Sequence, residues 1–321
     1  IRILSKNLQK AGTQAGLFIL CTLKEGLKME RLAINGMHKK IIFPTLIGVE
    51  IEGFVYNENN QRVNVYKWIK ENSKDEKIVL DEIGTIKTDA GIHQIEFNIM
   101  QSTNTDEIFQ RWFELLAVLP KNWHILYLAE DPYINASNYE KIKQIWCNKD
   151  RYKAIWDALS QESKEWHKVL YMCKYSSVHI HINIEPDSAE GIRLINFFNM
   201  NAYKIWSKFA YPENNSRYFS WRSWARKERL PYNKPIFVSN KDLRLYFASI
   251  PRLIKSCEDR WSIDLKNSSI PGDVVSEGTI WWWCRPRWSL NTIEIRIFDS
   301  VPVDGLYSIL SYINTTLKIL T

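Results

Sequence analysis

Four segments of this chain alternate apolar and charged residues one by one. In Ile47-Gly48-Val49-Glu50-Ile51-Glu52-Gly53-Phe54 the two-residue period of a strand puts Glu50 and Glu52 on one face and Val49 and Ile51 on the other. The segment Gln94-Ile95-Glu96-Phe97-Asn98-Ile99 groups Gln94, Glu96 and Asn98 in the same way. Along Val178-His179-Ile180-His181-Ile182-Asn183-Ile184, His179, His181 and Asn183 share a face, and Thr292-Ile293-Glu294-Ile295-Arg296-Ile297-Phe298-Asp299 sets Glu294 and Arg296 opposite Ile293, Ile295 and Ile297. A parallel sheet covered on both faces reads instead as continuous Val and Ile runs, so the pattern predicts largely antiparallel strands.

A face that merely meets water is expected to carry Lys, Thr and Ser, whereas these faces carry Glu, His and Arg. If the four strands share a sheet, the carboxylates repel one another and shift their pKa values unless cations neutralise them. Carboxylate oxygens with an imidazole suit Mg²⁺ or Mn²⁺, ions that commonly hold substrate phosphates. Zinc is disfavoured because no cysteine accompanies His179 and His181. Just upstream of the Glu294 segment, residues 278–287 read as a strand that delivers Arg285 and Arg287 at its end, and a guanidinium fork clamps phosphoryl and carboxylate groups with paired hydrogen bonds. The Trp281-Trp282-Trp283 run reads as core and sheet packing. Residues 217–226 mix arginine with aromatics, for which surface cation–π pairing is the preferred reading over RNA binding. There is no GxxxxGK[ST] loop, GxGxxG turn or GxSxG elbow, so a bound nucleotide has metals and arginines to hold its phosphates.

Between the strands, helices are predicted over 105–119, 138–158, 188–209, 241–255 and 307–320 from apolar residues at three- and four-residue spacing. The first is expected to be capped by Thr105, ended by Pro120 and striped with Ile108, Phe109, Trp112, Phe113 and Leu116. Strands alternating with helices in this way indicate an α+β fold whose sheet is backed by helices. With 321 residues, 45% of them hydrophobic and 25% charged, the chain belongs with folded globular proteins, and without a linker-like stretch it is expected to form one domain over 1–321, with 1–46 an extra helical segment. Five cysteines without CxxC spacing predict a reducing, cytoplasmic setting. The apolar stretch 15–23 is too short to span a bilayer and reads as a buried helix. A net charge of +7 suits anionic small molecules without marking a nucleic-acid binder. The partners expected are small amino-acid substrates or a peptide, with pairing between copies of the chain left open, and neither membrane nor nucleic acid is expected.

Taken in order, Gly48-Val49-Glu50-Ile51-Glu52, Gln94-Ile95-Glu96-Phe97, Val178-His179-Ile180-His181 and Trp282-Trp283-Cys284-Arg285-Pro286 running into the 292–300 segment resemble the glutamate–cysteine ligase type 2, or carboxylate–amine ligase, family; Ser220-Trp221-Arg222-Ser223 resembles a further element of it. The resemblance spans roughly 47–303. It implies a fold like the catalytic domain of glutamine synthetase, a curved antiparallel sheet forming a funnel, and ATP-dependent amide formation through an acyl phosphate. It also implies Glu50, Glu52, Glu96 and Glu294 as Mg²⁺ ligands, with His181 the nearer imidazole and His179 beside it. Arg296 would steady the transferred phosphoryl group, Arg222 and Arg285 would face phosphate or substrate carboxylate, and Arg287 and Asn183 would join Arg296 and Arg285 around ATP. Departures from the family are Cys284 where Asp is frequent, Asn291 where Gly is common, and the 22 residues 300–321 where a longer helical tail is usual. Asn at 291 is compatible with a positive-φ turn. The same carboxylates suit a metal-dependent phosphohydrolase, or a non-catalytic binder of nucleotide or peptide, as alternatives.

Overall fold

The computed structural model describes residues 39–134, 173–210, 236–248, 252–255, 261–264 and 282–321. Ten strands lie among these: β1 (Ile42–Asn57), β2 (Lys77–Leu80), β3 (Gly84–Lys87), β4 (Gln94–Asn104), β5 (Trp123–Leu126), β6 (Ser177–Ile182), β7 (Arg252–Lys255), β8 (Trp261–Asp264), β9 (Cys284–Arg287) and β10 (Thr292–Asp299). The helices among them are α1 (Val65–Asn72), α2 (Thr105–Ala117), α3 (Ala189–Met200), α4 (Ala202–Phe209), α5 (Asn240–Ala248) and α6 (Val303–Leu320). Eight of the strands make one antiparallel sheet in the order β2-β3-β4-β1-β6-β10-β9, and β5 pairs with β1 beyond β6. A separate hairpin joins β7 to β8. The expected α+β fold with an antiparallel sheet is therefore what the chain adopts.

All four alternating segments are strands of this sheet, and their register decides the site. Glu50 lies across from His179, Glu52 from Glu96, and His181 from both Gly48 and Glu294. Because paired residues face the same way, the charged faces predicted separately merge into one. The opposite face carries Val49, Ile51, Phe97, Ile180, Ile293 and Ile295, all buried in the main core. Helices cover the sheet: α2 packs on β4 and β3, α6 on β1, α3 on β9 and β10, and α4 on β10.

The helix ends differ from the sequence expectation for identifiable reasons. Helix α2 is capped by Asn104, whose side chain accepts from the Glu107 backbone N–H at 3.0 Å, while Thr105 is the first helical residue and its hydroxyl accepts from the Ile41 N–H at 3.1 Å. The stripe from Ile108 to Leu116 is buried as expected. The helix predicted over 188–209 is broken in two. Asn201 turns both its backbone N–H and its side-chain amide onto the Phe197 carbonyl, at 3.0 and 2.8 Å, which closes α3 before α4 begins. The one predicted over 241–255 ends at Ala248, and Arg252–Lys255 is a strand. Proline at 251 in the sequence lacks the N–H that a continuing helix needs, and helical geometry is disfavoured in general for a residue that precedes proline. Helix α6 starts at Val303, four residues ahead of the predicted start, with Pro302 in extended conformation before it. Strand β1 begins at Ile42, inside the segment 1–46 expected as helical, because Ile42 pairs across to Asn104. The remainder of that segment up to residue 38, the helices expected over 15–23 and 138–158, the arginine–aromatic stretch 217–226 and Arg222 lie outside the described residues.

Candidate metal and anion site

Three antiparallel strands, β1, β6 and β10, bring the first part of the site together. His179 Nδ1 lies 2.8 Å from Glu50 Oε2 and 3.8 Å from Glu294 Oε1. Glu50, His179 and Glu294 each offer one ligand atom, and these three atoms lie within 4.8 Å of one another. Glu294 is wholly buried and His179 nearly so, which removes the reading of a solvated face. Two carboxylate oxygens and an imidazole nitrogen at this separation fit a hard divalent cation. His181 stands one step further along: its Nδ1 is 3.2 Å from Thr292 Oγ1, and its Nε2 lies 3.3 Å from Glu50 Oε1 without the alignment of a hydrogen bond. Of the two imidazoles, His179 rather than His181 is the one placed between Glu50 and Glu294.

Glu52 and Glu96 form a second carboxylate pair on the neighbouring row of the same face. Glu52 Oε2 accepts from the Ser177 backbone N–H at 2.7 Å and lies 2.9 Å from Ser177 Oγ, which in turn sits 2.8 Å from His179 Nε2. Glu96 pairs with Lys87 at 2.9 Å. Burial, with the charges of Asp89 and Glu96, raises Glu52 well above the ordinary carboxylate range against the opposing pull of Arg296 and Ser177. Glu96 is likewise raised by burial, with Lys87 opposing. Glu50 goes the other way: burial favours its neutral form, but the hydrogen bond to His179 and the close approach of the His181 ring prevail and hold it well below that range. His179 is pushed down to about 3 by burial and the nearby Arg296 charge, so its ring is neutral. Ser177 Oγ donates to Glu52 Oε2, and Arg296 Nη1 lies 3.3 Å from His179 Nδ1, so the imidazole stands between a carboxylate and a guanidinium.

The third part is cationic. Arg285 Nε donates to Glu294 Oε2 at 2.6 Å and Arg285 Nη2 to Oε1 at 2.9 Å, making a two-pronged pair. Arg287 Nη1 donates to Oε2 at 3.1 Å, and Arg296 Nη1 donates to Oε1. Burial opposes ionisation of Glu294, yet Arg285 and Arg296 hold it well below the usual range. Arg285 is brought down to about 9 by burial and by the like charges of Arg296 and Arg287, which leaves it charged at neutral pH. Three guanidiniums thus surround one carboxylate, an excess of positive charge beside the Glu50–His179 pair. Cys284, next to them, is buried with its thiol raised well above its ordinary value by burial and by Glu294, so it stays a thiol.

Of the residues singled out in the sequence, the structure gathers Glu50, His179, His181, Glu294, Arg285, Arg287 and Arg296 at one place, with Glu52 and Glu96 one row away. Asn183 follows β6, and its backbone ties that end to β1 by bonds to Leu46 and Thr45. Ser177, Thr292 and Lys87 were missed. Ser177 and Thr292 are one two-residue step back from His179 and Glu294, so extending the alternation by one position finds both. Lys87 is on a four-residue strand and becomes visible only through its pairing with Glu96.

No protein-family model matches the chain, and no curated protein does. Among solved structures, the chain is similar to a bifunctional glutathione synthetase from Pasteurella multocida, at 14% identity and a TM-score of 0.43, over 85% of this chain and 38% of that one. The chain thus spans well under half the length of that enzyme. A glutamate–cysteine ligase from Francisella tularensis in complex with AMP is similar at 12% identity and a TM-score of 0.49, over 87% of this chain and 67% of that one. At these values neither structure assigns this chain a fold family or a reaction.

Proposed function

We propose that the chain is an ATP- and Mg²⁺-dependent carboxylate–amine ligase, joining a glutamate-like carboxylate to an amine such as cysteine, another amino acid or a peptide, on a curved glutamine-synthetase-like funnel. The observation that carries this reading is the adjacency, on one buried sheet face, of the Glu50–His179–Glu294 group and the Arg285–Arg287–Arg296 cluster. A cation site beside an anion site is what phosphoryl transfer asks of a protein, because that chemistry is catalysed by positioning and charge neutralisation rather than by a protein nucleophile. The ordered segments that resemble the type 2 ligases fall on the strands carrying these residues, which supports the same reading.

Glu50, His179 and Glu294 would hold the cation, with Glu52 and Glu96 alongside. Bound there, it would supply positive charge to the phosphate oxygens of the nucleotide. In the proposed reaction an oxygen of the donor carboxylate attacks the γ-phosphorus, the bond from that phosphorus to the bridging oxygen breaks, and ADP leaves. The amine nitrogen then attacks the acyl carbon, the carbon–oxygen bond to phosphate breaks, and the nitrogen gives up a proton as the amide forms. Arg296, Arg285 and Arg287 would bear on the negative charge of the transferred group, and Asn183 would join them around ATP. Arg222 keeps the role that the resemblance implies, at phosphate or substrate carboxylate.

ADP release from Mg²⁺-ATP and glutamate, screened over cysteine, other amino acids, polyamines and short peptides, tests this directly. The expected result is amine-dependent ADP release with a product of amide mass, lost in Glu50→Gln while the far-ultraviolet circular dichroism is unchanged. Turnover without an amine, or wild-type rates in Glu50→Gln, would contradict it.

A further inference from the structure

Both oxygens of Glu294 are fully engaged. Oε2 accepts from Arg285 Nε and Arg287 Nη1, and Oε1 from Arg285 Nη2 and Arg296 Nη1. A carboxylate offers about four lone-pair positions, so these donors fill it. Yet Glu294 is also one of the three residues that, among the described residues, make the one Asp/Glu/His/Cys group spaced to hold a metal ion. The two roles exclude each other: a cation approaching Glu294 needs a lone pair that a guanidinium holds and meets the charge of that guanidinium as well. Glu50 has no such competition from arginine, since its neighbours are His179 and His181.

Guanidiniums in a buried place give up one anion only for another, and phosphate presents oxygens that the same fork can grip. We infer that Glu294 exchanges partners: with the anion position empty it anchors the three arginines, and when a phosphate-class anion draws them off it becomes free to ligate the cation. The inference rests on the metal and phosphate positions of the ligase reading and adds that the two ligands bind cooperatively through Glu294. Linkage then requires each to tighten the other by the same factor. A direct contact between metal and phosphate would also couple them, but it would leave the arginines out of the coupling. Here the arginines set it. Weakening their hold on Glu294 improves cation binding in the absence of the anion and leaves binding in its presence little changed.

Mn²⁺ affinity measured by electron paramagnetic resonance, with and without inorganic phosphate and corrected for Mn²⁺–phosphate pairing in solution, reads this out without turnover. Arg287 is the variant of choice because its side chain is the most exposed of the three, 20% against 3% for Arg285 and 11% for Arg296. In the wild-type chain phosphate is expected to tighten Mn²⁺ about fivefold or more, within the usual range of allosteric coupling. Arg287→Met, shown folded by its thermal transition, is expected to bind Mn²⁺ severalfold tighter than wild type without phosphate and to lose most of the coupling. A simple loss of positive charge would tighten Mn²⁺ equally in both conditions, so an unchanged coupling factor in Arg287→Met would overturn the inference, as would a wild-type Mn²⁺ affinity indifferent to phosphate. A wild-type chain that binds no Mn²⁺ under either condition would remove the metal site itself and the inference with it.

Discussion

Asp299 ends β10, 2% exposed, with both carboxylate oxygens 3.2 Å from Trp206 Nε1. One indole N–H is thin support for a buried charge, and burial raises this carboxyl to about 7 against the weaker pull of Trp206. Because the folded pKa lies above the unfolded one, stability is greatest where both states hold the proton. It falls as pH rises from about 4 to about 7, where only the unfolded chain has lost the proton, and the full cost is present above that. The cost is on the order of 4 kcal/mol. Asp299→Asn keeps an oxygen for Trp206 without the charge, so its melting temperature is expected to exceed that of wild type at about pH 8, with the difference closing toward about pH 4. A melting temperature below wild type at the alkaline end would contradict this. Single residues were legible in the sequence where chemistry and period agreed: Glu50, His179, Glu294 and Arg296 could each be placed on the polar face of its own strand before any fold was known. Asn291 was also legible, as it takes the left-handed conformation, φ 51°, that its position between β9 and β10 demands. What period alone could not decide was which imidazole stands beside Glu50 and Glu294, since that depends on the register of β6 against β1 and β10.

At the level of elements, the alternating strands announced themselves because each carries its own two-residue signal, and β10 spans the very residues 292–299 whose alternation predicted it. The four-residue strands β2, β3 and β5 carry too few residues to establish a period and exist through pairing with longer neighbours. Helix interiors were legible and helix ends were not, because an end is settled by one side chain. At α2 that side chain is Asn104, which satisfies the Glu107 N–H, while Ser102 Oγ donates to the Glu107 carboxylate at 2.6 Å and accepts from the Asn104 N–H at 3.1 Å. Asn104→Ala removes the cap acceptor from a buried helix start and is expected to cost about 1 kcal/mol in urea unfolding. Thr105→Ala loses the bond from Ile41 but leaves the cap, so the two variants separate the observed cap from the one expected at Thr105. Equal loss of the Asn104 effect in both, or none in Asn104→Ala, would speak against the assignment.

At the scale of the molecule, β6 and β10 in the middle of the sheet are buried on both faces, apolar toward the helices and charged toward the site. No helix among the described residues is long and apolar enough to cross a membrane. Cys173 and Cys284 are both buried. Burying several carboxylates, two imidazoles and three guanidiniums in one place is costly unless each finds a partner, and the pairs Glu50–His179, Glu96–Lys87 and Glu294–Arg285 offset much of that cost. Such a face stabilises a fold less well than an apolar one would, which is the physical ground for reading it as a site. In the proposed ligase reaction a phosphoryl group moves onto a carboxylate before an amine displaces it. The most direct measurement uses a carboxylate donor labelled with oxygen-18, incubated with Mg²⁺-ATP and the amine that supports ADP release. The expected result is one labelled oxygen in the released phosphate and one left in the amide. Phosphate that takes its new oxygen from solvent water, with the donor's label untouched, would mean hydrolysis and contradict it.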